Sequence, residues 1–271
     1  MKRSLLPTTI VILSAGMLTL STPALSQDSD ADAELARMLA NPIANLMSFP
    51  LQSNWDFNLG SQQATRYTMN VQPVIPFSLS DDLNLITRTI MPIIDLEEPE
   101  IGFGDHSGLG DITQSFFFSP KSSNGFMWGG GPVFLYPSAT DDALGVGHWG
   151  MGPTVVLLNQ NNGWTVGLLA NHLWSVTEGG DTNPDVSASF LQPFISYITE
   201  TKTTFALNSE SSYDWTQGQL TAPLNLSVSQ LFKVGKVPFS AQIGGRYYVE
   251  APSGGPEWGL RFTITMLLPA N

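Results

Sequence analysis

The sequence predicts an all-β fold, a closed antiparallel transmembrane β-barrel of about 12 strands. Three observations point to it. Apolar residues recur with period two through most of the chain, the connections between the apolar runs alternate short and long, and all 7 tryptophans fall near the ends of those runs. Period two is what a pleated strand with one apolar and one polar face requires.

Taken in order, the chain opens with Lys2 and Arg3, an apolar stretch from Leu5 to Leu20, and a small-x-small site at Ala24-Leu25-Ser26. Residues 1–26 therefore read as a cleaved signal peptide. Pro7 and several Thr and Ser residues interrupt a stretch already short for a membrane-spanning helix. Residues 27–48 read as an N-terminal periplasmic segment. Within it, Leu35, Met38 and Leu39 form the apolar side of a short helix over Asp30–Leu39, which Pro42 stops. This helix is expected either to plug the lumen or to lie across the periplasmic mouth.

Residues 49–271 read as the barrel. In the first run Phe49, Leu51, Trp55, Phe57 and Leu59 alternate with Pro50, Gln52, Asn54, Asp56 and Asn58; in the last, Trp258, Leu260, Phe262, Ile264, Met266 and Leu268 oppose Gly259, Arg261, Thr263 and Thr265. Cutting at turn signals predicts strands at 49–59, 65–77, 83–94, 111–119, 126–137, 150–159, 164–176, 187–199, 203–215, 222–232, 237–249 and 257–268. Odd-numbered connections are the longer ones, which places them outside the cell and both termini in the periplasm. Lys121, Lys202, Lys233 and Lys236 fall in the short turns, while Glu97, Glu98, Glu100, Asp105, Asp141, Asp142, Glu178, Asp181 and Asp185 fall in the long loops. Proline inside strands, at Pro73, Pro92, Pro132, Pro153 and Pro193, removes ladder donors, and bulges are the expected accommodation.

Composition narrows the function. Only 13% of residues are charged, too few to cover a water-facing surface of ordinary type. The formal charge of −12 becomes −14 once Lys2 and Arg3 are removed, which excludes nucleic acid as a partner held by phosphate contacts. With no cysteine there is neither a disulfide scaffold nor a thiolate metal site.

Alternation directs Asp56, Arg66, Arg88, Glu210, Asp214, Arg246, Glu250 and Arg261 inward. Pairing the last hairpin about its loop sets Arg246 opposite Arg261, and two facing cations call for anions. Closure of the barrel and strand order bring Asp56 and Glu210 to similar height, so the four form an expected lumen charge cluster. It is either a network that fills a narrow lumen or a constriction that selects permeants.

Other groups carry less. His106, His148 and His172 show no metal-ligand spacing, and no metal or cofactor is expected. Asn171-His172 with Ser175 or Ser189 is the one arrangement near a hydrolase pattern. The glycine clusters Gly108-Leu109-Gly110-Asp111 and Gly129-Gly130-Gly131 precede no helix and carry no Lys, so they do not read as phosphate loops. Asp141, Asp142, Glu178, Asp181 and Asp185 make a solvated acidic rim or, alternatively, a weak divalent-cation site.

Several segments resemble one bacterial family: Asn41-Pro42-Ile43-Ala44 through Trp55-Asp56-Phe57, Arg66-Tyr67 through Pro73-Val74-Ile75-Pro76, and Gly108-Leu109-Gly110-Asp111-Ile112 through Phe118-Ser119-Pro120. Gly131-Pro132-Val133-Phe134, Tyr213-Asp214-Trp215 and Gly245-Arg246-Tyr247-Tyr248 through Trp258-Gly259-Leu260-Arg261-Phe262 extend the likeness over nearly all of the mature chain. The family is the outer-membrane β-barrel group of transporters of the phenol-degradation MetA-pathway type, sometimes mislabelled neuromedin U. The resemblance implies a barrel and suggests transport; it brings no catalytic motif and no site residue. The hormone label has no physical support in these residues, and Leu267-Leu268-Pro269-Ala270-Asn271 departs from the aromatic C-terminus common among such barrels.

The expected function is an outer-membrane channel or transporter for small solutes, aromatic or hydrophobic nutrients among them, and not an enzyme. A structural or adhesive barrel and an outer-membrane lipid hydrolase are the alternatives. Expected partners are outer-membrane lipid and lipopolysaccharide, the barrel assembly machinery and an unidentified small solute. The expected location is the bacterial outer membrane, reached by export through the periplasm.

Overall fold

The structure, a computed structural model, describes residues 29–121, 125–177 and 185–269. The predicted signal peptide lies outside the described residues. One helix, α1 (Ser29–Leu39), precedes twelve strands. These are β1 (Leu46–Leu59), β2 (Ala64–Val71, continued by Val74–Ser78), β3 (Leu83–Leu96), β4 (His106–Leu109, continued by Ile112–Pro120), β5 (Phe126–Tyr136) and β6 (Gly150–Asn161). They are followed by β7 (Trp164–Ser175), β8 (Ser187–Ile198), β9 (Thr203–Ser209, continued by Ser211–Asp214), β10 (Gln219–Val234), β11 (Val237–Glu250) and β12 (Trp258–Pro269).

Each strand pairs antiparallel with its chain neighbours, and β1 pairs with β12 from Leu46↔Pro269 to Phe57↔Trp258, so the sheet closes without an edge. Closure satisfies the backbone without water, which a hydrocarbon environment demands. The barrel begins at Leu46 rather than at residue 49.

The period-two pattern sorts side chains as the alternation requires. Leu51, Leu157, Val166, Leu226, Ile243 and Phe262 are among many large apolar residues exposed on the outer wall. Six of the seven tryptophans, Trp128, Trp149, Trp164, Trp174, Trp215 and Trp258, are exposed as well, near strand ends, where interfacial girdles sit. The connections 97–105, 137–149 and 251–257 and the described ends of 176–186 lie at one end of the barrel together with the short 60–63 and 215–218. The tight turns 79–82, 162–163, 199–202 and 235–236 lie at the other, as do Lys121 and Gly125.

Three expectations are corrected. Leu59 does not stay on the outer face: Asn58 adopts φ 65, the register shifts between Asp56 and Leu59, and Leu59 is buried. Lys233 is not a turn residue but the penultimate residue of β10. The prolines mostly make gaps instead of bulges. On either side of Pro73, Pro132, Pro153 and Pro193 the register is unchanged, and pairing lapses only where the missing N–H would have donated. The register also shifts between Ala222 and Pro223, and of these five prolines only Pro92 has a slip opposite it, between Ile93↔Leu109 and Ile90↔Thr113, where β4 bulges at Gly110-Asp111. The bulge frees Asp111, whose carboxylate accepts from the N–H groups of Ala139 (3.1 Å) and Val146 (2.6 Å) and so pins the connection 137–149.

The core is inside the barrel but fills only part of it. Ile86, Phe117, Val156, Leu158 and Leu169, from β3, β4, β6 and β7, pack around Ile43 of the N-terminal segment, with Phe190 and Phe194 of β8 against them. Facing this apolar half, strands β9 to β12 and β1 present amides, hydroxyls and charges. The lumen is therefore amphipathic in cross-section.

Candidate lumen site

The polar half carries a lock of ion pairs. Arg261 on β12 donates in a fork to both carboxylate oxygens of Glu210, at 2.8 and 2.7 Å. Asp56 on β1 takes Arg246 of β11 at 3.1 Å and Arg66 of β2 at 3.2 Å. Arg246 also approaches Glu210 at 3.9 Å, linking the two halves. Asp56 is 2% exposed and Arg261 7%, so both charges sit deep in the wall and need these partners.

Local sequence explains why each group can reach. The last hairpin does not pair Arg246 with Arg261 as predicted. Its register is two residues different, with Arg246↔Gly259 and Gly244↔Arg261, because Tyr248 N–H donates to Glu257 O across an asymmetric loop. A shift of two leaves every face assignment intact. It also sets each arginine opposite a glycine. Gly259 lies between Asp56 and Arg246 on the neighbouring strands, and a Cβ there would stand 2.5 Å from Trp55 O and 2.8 Å from Asp56 Oδ1.

Glu210 owes its position to two prolines. It sits between the two segments of β9, where pairing lapses beside Pro193 on one side and Pro223 on the other. Neither proline has an N–H to give, so the ladder opens around Glu210.

Neutral partners that the alternation alone did not single out complete the lock. Asn54 Oδ1 accepts from Arg261 Nε (2.7 Å), Asn225 Oδ1 accepts from Arg246 Nε (3.2 Å), and Tyr248 donates its hydroxyl to Asp56 Oδ1 (2.9 Å). The Arg246 guanidinium also lies 5.4 Å from the centroid of the Tyr248 ring. The signal for all three was present, since each shares the inward face with a charge.

The structure thus brings Asp56, Glu210, Arg246, Arg261 and Arg66 together. Arg88 is apart from the ion pairs, donating to Gln72 Oε1 at 3.0 Å while feeling the field of Glu210 and Arg261. Asp214 and Glu250 do not join. The Asp214 carboxylate accepts from the N–H groups of Thr216 and Gln217 (2.8 and 3.0 Å) and caps the tight turn there, and Glu250 is exposed at the end of β11.

The lock separates two cavities. Toward the long loops is a vestibule of about 460 Å³ lined by Arg66, Glu210, Thr221, Arg246, Tyr248 and the 252–256 loop. Toward the short turns is a chamber of about 300 Å³ lined by Arg88, Gln52, Gln72, Gln192, Phe194 and Gln242 among others. α1 closes the chamber from below. Leu35, Met38 and Leu39 pack with Leu231 against a buried set of Ala44, Leu46 and Leu267, and Asp32 binds Lys233 at 2.7 Å. Gln160 Nε2 donates to Arg37 O at 2.9 Å. Of the two expected placements, the helix takes the plug, seated inside the short-turn end.

Other sequence candidates fall outside this site. His172 Nδ1 is 2.8 Å from Ser189 Oγ, and Trp215 Nε1 donates to the same oxygen at 2.9 Å. That pair lies on the outer wall, His172 Nε2 has no hydrogen-bond partner among the described residues, and Asn171 faces the opposite way. Ser175 Oγ instead accepts from Val186 N–H. At the rim, Asp141 binds His106 (2.9 Å) and accepts from Ala143 N–H. Glu100 accepts from the hydroxyl and N–H of Ser61, which holds its carboxyl below the usual carboxylate range. Glu178 and Asp181 lie outside the described residues. Among the described residues, no group of three or more His, Asp or Glu is placed to hold a metal ion.

Closed strand pairing, an apolar outer wall and an amphipathic, divided lumen define the class: a 12-strand antiparallel barrel of the outer-membrane type. Among solved structures, the chain is similar to an outer membrane channel from Pseudomonas putida F1, with a TM-score of 0.65 at 15% identity over 82% of this chain and 95% of that one. It is also similar to the outer membrane phospholipase A from Escherichia coli, with a TM-score of 0.50 at 12% identity over 88% of this chain and 99% of that one. At these identities the likeness is one of fold. No family model matches the chain, and no curated protein matches it in sequence.

Proposed function

We propose that this protein is a passive outer-membrane channel for small solutes, exported to the periplasm and inserted with its long loops outside. The observation that carries this reading is the pair of cavities on either side of the charged lock, inside a barrel whose outer wall is apolar. The open space on both sides of the lock, rather than the polarity of the wall, favours passage of solute over a purely structural or adhesive barrel. Solute would pass from the vestibule through the lock into the chamber, and leave past α1. The sequence resemblance to transporters of the phenol-degradation type agrees with this direction, as does the fold shared with an outer membrane channel.

The lipid hydrolase reading rests on His172 and Ser189. Nucleophilic catalysis needs a third group to orient the base, and His172 Nε2 has no hydrogen-bond partner among the described residues, which favours the channel reading. Release of fatty acid by the purified protein tests the hydrolase reading. Insertion would bring contact with outer-membrane lipid and lipopolysaccharide and with the barrel assembly machinery.

Single-channel recording on the refolded chain tests the proposal. The full chain is expected to conduct weakly and a chain truncated through residue 40 to conduct more, because the plug is gone. Absence of conductance in both would overturn the channel reading.

A further inference from the structure

We infer that the inner chamber is a binding site for a compact organic carboxylate, with Arg88 as its counter-ion. The inference rests on the channel reading for how the solute arrives, but the site itself stands on the geometry of Arg88.

Four arginines, Arg66, Arg88, Arg246 and Arg261, face two carboxylates, Asp56 and Glu210, at this level of the lumen. Three of the four are engaged in ion pairs. Arg88 is the one left over. Among the described residues no carboxylate lies within ion-pair distance of it, and its single hydrogen bond goes to the neutral Gln72. With one neutral acceptor engaged, the Arg88 guanidinium keeps donors that can turn to a solute in the chamber it lines. Its fork of donors matches a carboxylate better than any neutral group.

The chain as a whole carries formal charge −12, so a local excess of cation inside the barrel is not a by-product of composition. The surroundings of Arg88 set the rest of the ligand. The chamber holds about 300 Å³, at the small end of the range typical of ligand pockets. Its lining mixes amides, Gln52, Gln72, Gln192 and Gln242, with apolar Val74, Leu169 and Phe194. A solute that satisfies both is a small monocarboxylate with an apolar body, its acid group on Arg88 and its body against Phe194. A sugar would leave the guanidinium unmatched, and a cation would meet four arginines against two acids. Arg66 and Arg246, which line the vestibule, present the same polarity on the way in.

Two measurements on the full chain test this, with benzoate as probe and benzyl alcohol and benzylamine as its neutral and cationic counterparts. In equilibrium dialysis against folded protein in detergent, benzoate is expected to bind and the other two are not. Arg88→Gln is expected to weaken benzoate about tenfold or more, the order of one charged hydrogen-bonded contact. Arg88→Lys, which keeps the charge but not the fork, is expected to fall between. If the Gln variant does not fold, the Lys variant decides: unchanged benzoate affinity would overturn the assignment. Equal binding of all three probes would overturn it too. In planar bilayers under a KCl gradient, the reversal potential is expected to show anion preference, reduced in Arg88→Gln. Conductance without benzoate binding would refute the carboxylate site and leave the channel standing. Benzoate binding without conductance would do the reverse.

Discussion

Replacing Glu210 by Gln removes the charge at the centre of the lock while keeping its shape. Arg261 then loses two charge-assisted hydrogen bonds, at 2.8 and 2.7 Å, and retains Asn54. A hydrogen bond to a charged group is worth about 1.5–3 kcal/mol. One of the two survives in neutral form, because Gln Oε1 can still accept, while its NH₂ now faces a second donor. The expected loss is about 2–3 kcal/mol, at the lower edge of the cost of breaking a buried pair, since cavities on either side let water reach the freed guanidinium. Urea unfolding of the barrel in lipid vesicles, followed by tryptophan fluorescence, measures it. A double-mutant cycle with Arg261→Met isolates the pair, and a coupling of about 1.5 kcal/mol or more is expected. A coupling below about 0.5 kcal/mol would refute the claim that these residues act as one lock.

Two further outcomes follow from close contacts. Gly259→Ala is expected to lower stability by about 1–3 kcal/mol through overpacking against Trp55 and Asp56, whereas Gly245→Ala, whose added carbon meets nothing within 4 Å, is expected to lack that penalty; equal urea midpoints for the two would contradict the close approach. Asp32→Asn weakens the plug's ion pair to Lys233, half way between an exposed and a buried one, by about 1–2 kcal/mol, so the open fraction in single-channel records is expected to rise about tenfold; an unchanged open fraction would mean that α1 does not gate the chamber.

What the sequence made legible were properties fixed by parity. Whether Arg261 faces lumen or lipid depends on an even or odd count from Trp258, and a hairpin slip of two residues cannot change it. The same slip shows what parity does not fix: Asp56 meets Arg246 and Arg66, while Arg261 pairs with Glu210, because height along the barrel depends on loop geometry that composition does not encode. Glu210 reaches its partners through gaps at Pro193 and Pro223. Pro223 lay outside the set of strand prolines singled out from the sequence, so the gap around Glu210 was only half visible. Asn54, Asn225 and Tyr248 are neutral and were not distinguished from other inward polar residues. The helix was readable from Leu35, Met38 and Leu39, but its seat depended on a hydrophobic patch of Leu231 and Leu267 contributed by distant strands.

The central claim, a lumen that admits small solutes past a charged constriction, meets its most direct test in liposome swelling with solutes graded by size. Vesicles carrying the full chain are expected to swell faster than protein-free vesicles in the smallest solutes only, and the Glu210→Ala/Arg246→Ala variant is expected to admit larger ones because the constriction is wider. Swelling no faster than protein-free vesicles for both proteins, across the whole panel, would contradict the account.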